Sequence, residues 1–108
     1  MNPKFILVSS PQRPMTGTFV YGQVWQHKDL LEAWRDVHGY CKIHGGGWYL
    51  LDEEQKSITL YGSSGDYGEP RFAFLNRIPA QLKDYAFFYT PILGLPPNRL
   101  PLEDVEWY

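Results

Sequence analysis

The stretch "GGGWYLLDEEQKSITLYG", Gly45 to Gly62, decides how the chain is built. Two apolar arms flank the polar "DEEQK" turn, which is the pattern of a β-hairpin. In the second arm Ile58 and Leu60 alternate with Ser57 and Thr59, the period of a half-buried strand. The first arm carries three consecutive glycines. Glycine weakens a strand, so the run predicts a bulge or a close approach by neighbouring backbone.

Outward from the hairpin, "KFILV" (Lys4 to Val8) and "TFVYGQVW" (Thr18 to Trp25) are rich in β-formers and predict two strands around a Pro/Gly loop. "HKDLLEAWRDVHG" places Leu30, Trp34, Val37 and Cys41 at helical spacing, with Gly39 as its stop. "RFAFL", Arg71 to Leu75, is ambiguous between strand and helix. Pro79 suits the first position of a short second helix, Pro79 to Lys83. "AFFYTPIL", Ala86 to Leu93, is a last strand cut at Pro91, and a proline-rich tail from about residue 94 is expected to cross the surface in extended form. Strands and helices mix without a βαβ rhythm. The expectation is one α+β domain over residues 1–108, a mixed and mostly antiparallel sheet flanked by two helices.

Composition narrows the partners. The chain has 108 residues, 44% hydrophobic and 17% aromatic, enough to build a core. Ten basic and twelve acidic residues give a net charge of -2, and the basic residues form no cluster, so nucleic acid is not an expected partner. No apolar run reaches the ~20 residues of a membrane span, and the N-terminal apolar stretch is too short for a signal peptide. With the single cysteine Cys41 no internal disulfide forms, and the cytoplasm is the expected compartment.

Three groups carry candidate chemistry. His27 falls where a strand meets a helix, and an imidazole titrates near neutral pH. His38, Cys41 and His44 have an H-x2-C-x2-H spacing. On a helix, however, the third residue lies about 120° from the first, and no fourth ligand stands out, so no metal is expected. The loop "YGSSGDYGEP", Tyr61 to Pro70, has glycines that permit positive φ, so successive backbone N–H groups can face one concavity. Ser63 and Ser64 add hydroxyl donors there, while the Asp66 carboxylate opposes an anion. A plain strand-ending turn explains the same residues.

The ordered set resembles the Janus/Ocnus family, whose best-known member is a protein histidine phosphatase. The resemblance rests on Gly45 to Gly47, "KSITLYG", Ser64 with Tyr67-Gly68, "VYGQVWQH", "KFILV" and "KDYAFFY", and covers roughly residues 4 to 90. It implies a mixed sheet with two helices and a phosphatase that needs no cofactor or metal and acts on a phosphorylated substrate. His27 matches the general base, Ser64 the loop serine, Gly65 and Asp66 the backbone donors, and Lys4 the strand lysine. Trp48 and Tyr21 stand where the family's phosphatase carries arginines, and Asp66 where it carries a small residue. Those departures define the alternative: a non-catalytic small-molecule-binding or protein-interaction protein on the same fold, with Tyr21, Trp48, Tyr61 and Tyr67 around an aromatic pocket. For the interaction reading the tail is the docking element, on a partner or on a second copy in a homodimer.

Overall fold

In the computed structural model, which describes residues 1–108, one eight-stranded sheet carries a single α-helix. The strands are β1 (Asn2–Ser9), β2 (Gly17–Val24), β3 (Lys42–Asp52), β4 (Ser57–Tyr61), β5 (Leu75–Ile78), β6 (Ala86–Thr90), β7 (Asn98–Arg99) and β8 (Glu106–Trp107). Their order is β7-β6-β4-β3-β1-β2-β5-β8. The helix α1 spans His27–His38 and ends at Gly39, whose N–H donates to the Arg35 carbonyl.

Two expectations change. Residues 79–83 do not form a second α-helix. Pro79 is extended, with ψ of 133°, and Ala80–Leu82 makes one 3₁₀ turn before β6 begins at Ala86. A span this short closes i→i+3 bonds but leaves no room for an α-helical ladder. The sheet is also more evenly mixed than expected. β2–β5, β4–β6 and β5–β8 pair parallel, while the other neighbours pair antiparallel. The ambiguous "RFAFL" divides into a 3₁₀ turn at Phe72–Phe74 and the start of β5.

Alternation along β1 sorts the core onto two faces. Phe5 and Leu7 point to one side, with Phe19, Tyr49, Ile58, Leu60, Ile78 and Phe87. Ile6 and Val8 point to the other, where Leu30, Leu31 and Cys41 cover them. Leu30, Leu31 and Trp34 are therefore the helix's inward side, whereas Val37 is exposed.

The tail does more than cross the surface. Its two short strands pair at opposite edges of the sheet, β7 on β6 and β8 on β5. In a flat sheet those edges, seven inter-strand steps apart, would be separated by about 34 Å. The seven residue steps from Arg99 to Glu106 span at most about 25 Å. The sheet must therefore curl, and the tail closes the open side of the curl. Leu100, Leu102, Val105 and Trp107 pack against the larger core cluster. Tyr108 N–H donates to the Ile78 carbonyl at 3.0 Å and its hydroxyl to the Phe19 carbonyl at 3.0 Å. No helix is long and apolar enough to cross a membrane.

Truncation after Gly94 is expected to abolish cooperative unfolding of the native fold, because it uncovers one face of the core. The milder change Trp107→Ala should cost about 2 kcal/mol and lower the thermal midpoint by roughly 10 °C. Calorimetry on both variants checks this; a truncated chain that melts like the full one would remove the closing role of the tail.

Candidate functional site

The site begins with an accident of register. Lys4 on β1 lies directly between Gly22 on β2 and Trp48 on β3, so these three positions share one face of the sheet. Gly22 has no side chain, and a Cβ there would come within 3.4 Å of Leu30, so α1 can approach this face closely. The helix entry is fixed by Gln26 N–H donating to the Asp29 carboxylate at 2.9 Å and by Asp29 N–H donating to the Gln26 carbonyl. His27, the first helical residue, is thereby held against the sheet and is only 5% exposed.

The imidazole meets β3. Its Nε2 lies 2.8 Å from the Gly47 carbonyl oxygen. A carbonyl only accepts, so Nε2 carries the proton and, in the neutral ring, Nδ1 keeps its lone pair. Burial pushes the His27 pKa below the ordinary 6.5. The Gly47 acceptor works the other way, the Lys4 charge lowers it further, and the Asp66 charge raises it. The ring is therefore neutral at physiological pH, with a free basic nitrogen. Lys4 and Asp66 both lie near enough for their charges to act on it. Lys4 is 6% exposed and its ammonium donates to the Trp25 carbonyl at 2.9 Å, which leaves two further N–H donors on the same nitrogen.

The glycine run explains how the loop after β4 reaches this place. Between Ile6–Gly46 and Val8–Ile43 the pairing of β1 and β3 slips by one residue, a bulge in β3. Gly45 has φ of +88°, and a Cβ on it would lie 1.9 Å from the Glu69 carbonyl oxygen. The loop lies directly on β3 as a result. Ser64 N–H donates to the Gly46 carbonyl at 2.8 Å, Gly46 N–H to the Gly68 carbonyl at 3.2 Å, and Arg71 N–H to the His44 carbonyl at 3.0 Å. Ser64 and Gly68 also form a bridge of their own. Ser64 is buried, and its hydroxyl oxygen accepts from Tyr67 N–H at 3.2 Å, which leaves its own hydrogen to donate. At the loop tip the Gly65 and Asp66 amides donate to no group of the chain. Asp66 is exposed, and its carboxylate makes neither a hydrogen bond nor an ion pair. Ser63 is exposed and makes no hydrogen bond to His27, so no Ser–His–Asp relay forms there.

The aromatic residues divide. The Trp48 indole meets the His27 ring edge to face at 5.1 Å and stacks on Tyr61 at 6.2 Å. Tyr67 packs beneath α1. Tyr21 is on the opposite face of the sheet: it pairs with Phe5, packs on Phe19 and Tyr49, and its hydroxyl meets the Gln81 amide. One pocket holding all four aromatics is therefore not formed.

The remaining histidines serve the fold. His44 is buried, bonded through Nε2 to the Ser9 hydroxyl at 2.7 Å and stacked on Phe74 at 4.2 Å. Burial lowers its pKa, helped by Lys42 and Arg71. His38 stacks on Trp34 at 3.8 Å, and no group of three or more metal-binding side chains converges anywhere. The Gly47 carbonyl is the partner that residue-type reasoning missed. The glycine triplet was its only signal, as a strand that lets other groups come close.

Gly45→Ala is expected to cost at least about 3 kcal/mol, since it strains a positive φ and drives a methyl into the Glu69 carbonyl; a urea midpoint measures it. The buried histidines also set a pH dependence. Both have folded-state pKa values below 6.5, so their contribution is intact above that pH and is lost as pH falls through the folded values. The urea midpoint should fall from pH 7.5 to pH 5, and His44→Gln should shrink that fall.

A sequence model of the Janus/Ocnus family (Ocnus) matches residues 3–86, which takes in β1 through the first residue of β6 together with His27, the glycine triplet and the loop. No curated protein matches the chain. The match covers well over half the sequence, and the chain belongs to the Janus/Ocnus family.

Proposed function

We propose that the protein is a phosphohydrolase of the phosphohistidine type that, as the family resemblance implies, needs no metal. One observation carries this reading: His27 is buried, neutral at physiological pH, and held by Gly47 so that Nδ1 alone is basic. That is the state a general base requires. Nδ1 takes a proton from water as the water oxygen bonds to phosphorus. The P–N bond breaks, the electron pair stays on the leaving nitrogen, and the proton on His27 passes to that nitrogen. As the ring becomes cationic its Nε2–H bond to Gly47 strengthens. The two unused Lys4 donors, the Ser64 hydroxyl and the Gly65 and Asp66 amides supply the positive dipoles that phosphoryl oxygens need.

A second reading has its own support. The Trp48 indole beside His27, and a Lys4 ammonium already partnered by Trp25, favour a non-catalytic binder of a small apolar molecule. Turnover separates the two. Phosphoramidate hydrolysis should fall about 10²- to 10⁴-fold in His27→Ala. His27→Gln keeps a donor toward Gly47 without a basic nitrogen and should be as poor. The acid limb of kcat/KM should lie below pH 6.5, because the base is lost only when His27 takes its proton. Asp66→Asn should raise kcat/KM about 2- to 5-fold by removing a charge that repels the substrate. Wild-type hydrolysis equal to that of His27→Ala overturns the assignment.

A further inference from the structure

Next to His27 the surface turns apolar. Trp48, Tyr61, Gly62, Pro91, Ile92 and Leu93 line a shallow hollow of about 380 Å³ that contains no charged side chain. Trp48 belongs to both places: its edge-to-face contact with His27 is on one side and its stack on Tyr61 on the other. The shelf is therefore continuous with the site.

It is also held in shape. Gly62 has φ of +72°, and a Cβ there would come within 3.0 Å of the Trp48 ring, so its absence lets the indole lie flat over the strand end. Gly62 N–H donates to the Thr90 carbonyl, and the Tyr89 hydroxyl to the Gly62 carbonyl. On the far wall the Thr90 hydroxyl donates to the Ile92 carbonyl at 2.8 Å, and Leu95 N–H donates to the same carbonyl. Ile92 and Leu93 are 65% and 47% exposed and belong to neither core cluster. Side chains of that kind on a fixed backbone serve the surface rather than the core.

We propose that this shelf binds a flat aromatic group carried by the substrate, so that aryl phosphates are hydrolysed as well as phosphoramidates, with Ile92 and Leu93 as the residues that select for the aryl group. The inference rests on the phosphohydrolase reading for its anion site. Charge complementarity orients the ligand: the phosphoryl end faces Lys4 and the unused loop amides, and the ring lies over Trp48 toward Ile92. In the hydrolysis the water oxygen bonds to phosphorus and the P–O bond to the aryl oxygen breaks. The pair remains on that oxygen, which takes the proton from His27.

The test uses the full chain with the double variant Ile92→Ser, Leu93→Ser, both sites being exposed. For phenyl phosphate, kcat/KM should fall about 5- to 10-fold, as expected for losing a small apolar contact, while phosphoramidate, which has no ring, changes less than about 2-fold. Equal losses on both substrates, or none on either, overturn the shelf. A binding arm reads the shelf apart from turnover: by calorimetry, phenylphosphonate should bind the wild type about 10-fold tighter than methylphosphonate, and the double variant should erase the difference. If neither phosphoester nor phosphoramidate is hydrolysed but that preference stands, the hydrolase reading fails and the aromatic site survives. Equal affinity for the two phosphonates, or no binding of either, removes the site.

Discussion

The absence of three Cβ atoms on β3 is the constraint on which the rest depends. At Gly45, Gly46 and Gly47 a side chain would run into the carbonyls of Glu69, Phe5 and Tyr61 respectively. A strand so stripped packs poorly by itself and is weakened by the entropy of its glycines. Its compensation is backbone contact on several sides. The loop after β4 folds back onto it through hydrogen bonds from Ser64 and Arg71, and the imidazole of His27 bonds the Gly47 carbonyl. Fold and site thus share one cause: the segment that brings the loop in is the segment that fixes the ring.

Three histidines show how environment assigns roles to one residue type. His38 is exposed and lies on Trp34, a surface stack at the end of the helix. His44 is as buried as His27, and its pKa moves the same way for the same reason. The difference is in what remains free. Phe74 covers the flat of the His44 ring and Ser9 takes one nitrogen. His27 gives one nitrogen to Gly47 and meets only the edge contact of Trp48, near enough to Lys4 and Asp66 for their charges to act on it. A lowered pKa alone does not distinguish the two; the surroundings of the second nitrogen do.

Much of this was legible in the chain. The hydrophobic patterns of "KFILV", "TFVYGQVW" and the hairpin arms match β1 to β4, and Gly39 does stop the helix. The glycine triplet carries both a bulge and a close approach. What escaped depends on long-range geometry. Tyr21 and Gly22 are neighbours, and which of them faces Lys4 follows from pairing with β1, where one step of register exchanges the faces. The second helix failed because a proline and a few helix-formers cannot outweigh a segment too short to close α-helical bonds. The tail's strands are two residues each and have no local signal; they exist because a curled sheet leaves two edges within reach of one segment.

The charge balance of the site bears on the chemistry it can do. Lys4 and Asp66 are the charged groups that act on His27, and they oppose each other. Trp48, on the same face as Lys4, adds surface but no charge. A strongly cationic cleft would hold any small anion by Coulomb attraction and discriminate little among what the anion is attached to. On the proposed hydrolase reading the anion is left to amide and hydroxyl dipoles and one partly occupied ammonium, each of modest worth. The remaining affinity, on the same reading, comes from the rest of the substrate, over the apolar wall that starts at Trp48. On that reading, the indole of Trp48 beside His27 shifts binding energy away from the reacting phosphoryl group and toward the group it leaves behind.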